Sequence, residues 1–467
     1  MPTPSSKPLR RPITIGATAV LAAAVATVAA CSSSPSTSST APSAASGPVT
    51  ITVNCGPPPS SPPQYKDWND DVATFEKQNP NITVHSTYSA QCVVPAQLTA
   101  TLAAGTETNV FGVYFTDLHQ VLDAGQAADI TPYLNTGLVP NLHDIVPSAM
   151  KAVTAGSTIY GLPILNYTQG LIINRKLFQQ AGLNPDQPPT TWAQVEADAK
   201  AITKLGNGIW GYGDYSAGNN GGWHFSSEVD AMGGHMVSAD GTTAAFNDAN
   251  GLAVLQALHQ MRFVDHSMSP TQQLAWGTLQ KQMAAGKLGM FIAAPDDIYK
   301  VIVPIDGGSP NDYGMGPLPS ASGTPAGSLS GGQAYMFAKH DTPAQIIAGI
   351  KFVNFMQLTI GQGGTYNYAR IKAEGQPVGF PEPQIFQGAT FQAQEALMNK
   401  YATVNTNYFS TFTSANEVGM GEPVDAQAVY RTLDSVMLAA LTEPNANLSQ
   451  LLTSAASQVN TLLALNG

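Results

Sequence analysis

Beyond residue 48 the chain alternates between two hydrophobic periods. Val49, Ile51 and Val53 recur at every second position and predict a strand with one buried face. Trp68, Val72 and Phe75 follow at i, i+4 and i+7, the spacing of one helical face, and Asn79 and Pro80 end that helix. A strand is predicted from Ile82, carrying Val84 and Tyr88. The continuous apolar runs 110–115 and 171–174 fit strands buried on both faces of a parallel sheet. Thr191 and Gln194 form a capping box ahead of a helix whose Trp192, Val195, Ala199 and Ile202 share a face and which stops at Gly206. Further strands are predicted over 290–294 and 334–338, and a helix over 346–356. A last helix carries Leu448, Leu452, Ala455, Val459 and Leu462 on one side. Strands alternating with helices in this way predict an α/β architecture with parallel sheets.

The first 48 residues follow neither period. An uncharged run, 13–30, follows Lys7, Arg10 and Arg11 and ends at Val28, Ala29, Ala30 and Cys31. A basic start, an apolar stretch and small residues before a cut are the pattern of a secretory signal, predicted over 1–30. A cysteine at the first mature position resembles the lipobox of bacterial lipoproteins. That resemblance implies lipidation of Cys31 and anchoring of the chain on the extracytoplasmic face of the cell membrane, where two acyl chains suffice. The alternative is an uncleaved transmembrane anchor, since the run is about as long as the shortest spans. Residues 31–48 are almost wholly Ser, Thr, Ala and Pro and predict a flexible tether.

The remaining chain, roughly 420 residues, exceeds what one core supports, so two lobes are expected. A net charge of -11 with 11% charged residues offers no basic patch, which argues against nucleic acid as a partner. Apart from Cys31 the chain has two cysteines, Cys55 and Cys92, and in an oxidising compartment an even pair reads as a disulfide. They follow the first and second predicted strands, whose ends would meet if the strands are parallel neighbours.

Several short motifs run in a recognisable order. They include Trp68 with Phe75 and the run Asn79, Pro80, Asn81, Ile82, and then Asn109, Val110 and Phe111. Tyr160 to Pro163, Asn174 to Phe178, Ala181 to Leu183 and Pro189 to Trp192 come next. Gly233 and Gly234, Met283 to Lys287, Gly316 to Pro319 and Ser330 to Gly332 complete the series. In this order the chain resembles the extracellular solute-binding proteins of family 1, the sugar-type receptors of ABC importers related to maltose-binding protein. The resemblance implies a two-lobe α/β fold of the periplasmic-binding-protein type (type II) with a ligand cleft between the lobes. It places an N-lobe at 49–163 plus 327–378 and a C-lobe at 166–325 plus 382–467. It also implies a monomer that needs no cofactor and hands a mono- or oligosaccharide to ABC permease subunits.

A sugar cleft needs aromatic faces for C–H groups and polar planes for hydroxyls. Trp223, expected on a loop after the glycine-rich segment 218–222, is the leading candidate; its alternative is an ordinary core Trp. Tyr114 and Asp117 lie at the carboxyl end of the run 110–115, the edge where open α/β sheets bind ligands, although Asp117 also suits a helix N-cap. Asn166 and Tyr167 fall at the first crossover, where the maltose group carries an acidic contact. Asp296 stands where many relatives carry a stacking Trp, which suggests one aromatic platform fewer. Gly331 and Gly332 match a segment whose backbone borders the cleft. Tyr368 and Arg370 complete the candidates, with Arg370 offering a fork for hydroxyls or an anion, or an interlobe ion pair.

No nucleophile elbow, P-loop, complete dinucleotide fingerprint or zinc-protease motif occurs, and the eight histidines lack ligand spacing, so neither enzyme activity nor a metal is expected. Two other classes remain open: a secreted carbohydrate-active enzyme, which needs opposed carboxylates in the cleft, and a receptor that signals to a membrane kinase.

Overall fold

The computed structural model describes residues 47–466 apart from 90–91, 383–384, 416–417 and 424. The expected signal segment, Cys31 and the tether up to residue 46 lie outside them. Among the described residues there are twelve strands: β1 (Val49–Gly56), β2 (Ile82–Tyr88), β3 (Val110–Tyr114), β4 (Thr154–Ala155), β5 (Thr158–Ile159), β6 (Gly161–Thr168), β7 (Gly170–Asn174), β8 (Trp210–Tyr212), β9 (Leu288–Ala293), β10 (Tyr313–Gly316), β11 (Ser328–Phe337) and β12 (Gly419–Gly421).

Alternating apolar residues place Ile51 and Val53 in the interior, and β1 pairs in parallel with both β2 and β3. The ten-residue β11 then joins them from far along the chain. It lies antiparallel to β3 through Gln333–Phe337, antiparallel to β6 on its other edge, and parallel to β12 at Ser328–Ser330. The second sheet has the order β10-β7-β9-β8, with β7 antiparallel to both neighbours and only β8 and β9 parallel. The expected parallel sheets are therefore mixed. A continuous apolar run such as 171–174 reports burial on both faces, and β7 is fully buried, but burial does not fix strand direction.

Each sheet carries its own core. The first gathers Ile51, Val53, Phe75, Val110, Phe337 and Phe352. The second gathers Leu171, Phe178, Val195, Phe225, Val254 and Leu433 on one face, and Ile172, Phe291, Tyr313 and Phe409 on the other. The helix Gly388–Tyr401 packs Phe391, Leu397, Met398 and Tyr401 against the first core. This helix follows the boundary expected at 382, while Phe380 just before that boundary packs with Tyr299 and Phe409 in the second sheet's core, so the chain touches both cores around it. The lobes are joined at Gln169, a fully buried residue between β6 and β7 whose backbone N–H donates to Ser328 Oγ at the foot of β11.

Local signals behave as the sequence suggests. The helix Pro62–Gln78 ends at Asn79. Thr191 Oγ1 accepts from the Gln194 amide and Gln194 Oε1 accepts from the Thr191 amide, starting the helix Trp192–Thr203. Cys55 and Cys92 are joined by a disulfide at the ends of the parallel pair β1 and β2.

Candidate functional site

Three strands of the first sheet form one side of a cavity of about 340 Å³. The carboxyl end of β3 and the turn after it supply Tyr114, Phe115 and Thr116; β6 supplies Leu165 and Tyr167; β11 supplies Gly332 and Gln333. Opposite them stands the amino end of the helix Asn220–Ala231, with Gly218, Asn219, Asn220 and Trp223. Trp276, Asp296, Glu422, Gln427 and Tyr430 complete the wall. The two sides belong to different sheets, so the cavity is an interlobe cleft.

The register of β6 against β11 explains the glycines. Gly331 pairs with Tyr167 and Gly332 with Asn166. A Cβ on Gly332 would lie 2.2 Å from the Leu165 carbonyl oxygen, and one on Gly331 would lie 2.3 Å from the Tyr167 hydroxyl. Both contacts are closer than real Cβ atoms come, so side chains here would push the aromatic wall out of place.

Trp223 stands in the first turn of its helix, not on the loop that the preceding glycines suggest. Gly222 lets that helix touch the helix Ala426–Thr442, since a Cβ there would meet the Tyr430 carbonyl oxygen at 2.3 Å. Asp434 of the second helix accepts from the Asn219 amide at 2.6 Å and from the Gly222 amide at 2.9 Å. Those two bonds satisfy amide donors that the start of a helix leaves free. Beneath Trp223 lies a buried polar floor in which His224 Nδ1 is 2.8 Å from Asp214 Oδ1 and the Tyr212 hydroxyl donates to Glu228. The Trp223 and Tyr167 rings meet edge to face, with centroids 6.3 Å apart.

Charge in the cleft is one-sided. Burial, then the nearby Asp117, pushes Glu422 up to about 7, opposed by the hydrogen bond its carboxylate accepts from the Tyr430 hydroxyl. Burial also raises Asp117, and burial followed by the charge of Glu422 lifts Asp230 to about 8. Asp296 has one cation at hand, the Lys300 ammonium at 3.4 Å.

The family model for bacterial extracellular solute-binding proteins matches residues 59–363. The chain belongs to that family. A protein of Brucella abortus (strain 2308) named as a binding protein is 27% identical over 222 residues, 47% of this chain and 52% of that protein. This solute-binding protein thus spans about half the length of the curated relatives it matches. Among solved structures, an ABC substrate-binding protein from Listeria monocytogenes in complex with cycloalternan has a TM-score of 0.69 at 18% identity, covering 89% of this chain and 99% of that one. UgpB from Mycobacterium tuberculosis in complex with glycerophosphocholine has a TM-score of 0.69 at 15% identity, covering 90% and 100%. These likenesses establish the two-lobe fold of the periplasmic-binding-protein type.

Of the residues singled out in this solute-binding protein, Tyr114, Tyr167, Trp223, Asp296 and Gly332 line the cleft, and Gly331 backs Tyr167. Asp117 sits just behind the wall, 9% exposed and without a side-chain cap hydrogen bond to the helix it precedes. Asn166 points the other way across β6 and accepts from Ser330 Oγ at 3.0 Å. Two candidates are displaced altogether. Tyr368 is buried in the first core with its hydroxyl on Glu382, and Arg370 forks onto Asp71 at 2.6 and 3.0 Å within the same lobe. Arg370 thus makes neither a cleft contact nor an interlobe pair, because the buried Asp71 carboxylate claims its fork.

Trp276, Gln427, Glu422 and Tyr430 were not singled out from sequence. Trp276, 51% exposed beside Gly277, adds a second indole to the cavity wall where the sequence suggests one aromatic platform fewer, and an indole next to a helix-starting glycine is a readable signal. Glu422 carries no local signal, since it reaches the cleft only through the pairing of β12 with β11.

Proposed function

We propose that this chain is a lipid-anchored receptor that captures a carbohydrate between its lobes and delivers it to an ABC permease without chemistry. The supporting observation is the cleft: two indoles and three tyrosines offer faces, while Asn219, Asn220, Gln333 and Gln427 offer planar amides, the pairing a sugar requires. Closure of the lobes around the ligand is the state the permease would read. Among the described residues no helix is long and apolar enough to cross a membrane, and the anchor in this reading is the diacylglyceryl group on Cys31.

A thermal-shift screen of mono- and oligosaccharides, polyols and glycerophosphodiesters tests the ligand class. A true ligand at a hundred times its dissociation constant adds roughly 2.7 kcal/mol of stability, and silence across all the sugars would sink the carbohydrate reading. Cys31→Ala is expected to release the protein into the medium and to abolish labelling by radioactive palmitate.

A further inference from the structure

An anionic ligand needs a cation or a free helix amino end. The arginine that the sequence offers for this role lies outside the cleft, and one helix start at the cleft is occupied by a carboxylate of the chain itself. Arg370 is forked onto Asp71, and the amides of Asn219 and Gly222, at the start of the helix Asn220–Ala231, are held by Asp434. No Lys, Arg or His is among the residues lining the cavity. The wall instead carries Asp296, which has Lys300, and Glu422, whose one side-chain hydrogen-bond partner among the described residues is the hydroxyl of Tyr430.

The groups facing Glu422 are of one sign from each element around it. Asp117 follows β3, Asp230 lies on the helix Asn220–Ala231, and the uncharged Tyr167 and Tyr430 come from β6 and the helix Ala426–Thr442. Asp117 is nine-tenths buried, and no side-chain hydrogen bond is made to it among the described residues. A carboxylate so placed lacks a counter-charge, and burying it unpaired is costly. The open space beside Glu422, which lines the cavity, is the cleft itself.

We infer that the ligand is cationic: an amino sugar or another polyhydroxylated amine, with its ammonium against Glu422 and its ring or carbon chain on Trp223. The inference rests on the carbohydrate reading and narrows it. Indole and phenol faces add to the same preference, since aromatic rings attract ammonium groups. The bound cation would also hold Glu422 ionised, so binding releases a proton wherever the free carboxyl is protonated. Affinity then rises with pH up to the range near 7 where the empty site ionises.

The test uses matched pairs that differ in charge: N-methylglucamine against sorbitol, and the glucosamine trimer against its N-acetylated form. Each is titrated calorimetrically into the full-length chain in neutral detergent. The amine of a pair is expected to bind about tenfold or more tighter at about pH 7, and to lose that advantage at about pH 5.5 and in Glu422→Gln. Should Glu422→Gln show no cooperative melting, Asp117→Asn carries the comparison, with a smaller loss of preference. A neutral partner that binds as tightly as its amine overturns the charge inference and leaves the carbohydrate reading standing. Silence from all four counts against the carbohydrate reading itself, and the charge inference falls with it.

Discussion

Trp223 shows how one side chain joins sequence signal to site. Its helix is set by Asp434, its ring rests edge-on against Tyr167, and its neighbour His224 is locked to Asp214 below. Trp223→Ala is expected to weaken ligand binding on the order of thirtyfold, about 2 kcal/mol, with the melting temperature almost unchanged; titration beside a thermal melt checks both. Gly332→Ala should cost stability as well as affinity, because its methyl meets the Leu165 carbonyl and the Phe115 ring. Residue types that carry their chemistry locally, such as Trp223, Tyr114, Tyr167 and Gly332, were legible in the sequence. Tyr368 and Arg370 were misread because their fate depends on partners at a distance, Glu382 and Asp71, which no local pattern reveals.

At the scale of elements, the cleft is made where three strands of the first sheet face the starts of two helices. The Asp434 carboxylate is the joint between them, since it ties the helix Ala426–Thr442 to the start of the helix Asn220–Ala231. Asp434→Ala is expected to cost about 1–2 kcal/mol in urea unfolding and to loosen ligand binding as Trp223 loses its fixed position. Retention of full affinity in a folded variant would show that the helix start is held without it. Element identity was readable from period and caps, as in the box of Thr191 and Gln194. Strand direction in the second sheet and the allegiance of the helix Gly388–Tyr401 were not, since each is decided by packing between segments remote in sequence.

Over the whole molecule, buried acids set the response to pH. Asp230 and Asp297 rise to about 8, and Glu382 and Glu422 to about 7, each first through burial. The native state therefore keeps protons that the unfolded chain has lost, and stability falls as pH rises from about 4 to about 8, by up to about 1.4 kcal/mol per unit for each proton. Melting temperatures of the ligand-free protein are expected to be higher near the acid end of that window than at its alkaline end, which calorimetry at a series of pH values reads directly. Reducing the bond between Cys55 and Cys92, 37 residues apart, should lower stability by about 2–4 kcal/mol in chemical denaturation. That the chain has two lobes was legible from length and motif order, whereas the cleft's charge emerged only once β12 was placed.

Strand β11 has a further consequence for how the chain is made. Its partners β3 and β6 lie well over a hundred residues earlier, and β12 arrives some ninety residues later. The first sheet is unfinished until residue 421 has emerged, so nine-tenths of the chain must be synthesised before the cleft's wall exists. Pairings this distant slow folding, because the loops must close before any contact rewards them. A chain that folds late stays extended for longer, and an extended chain is what a secretion channel can thread.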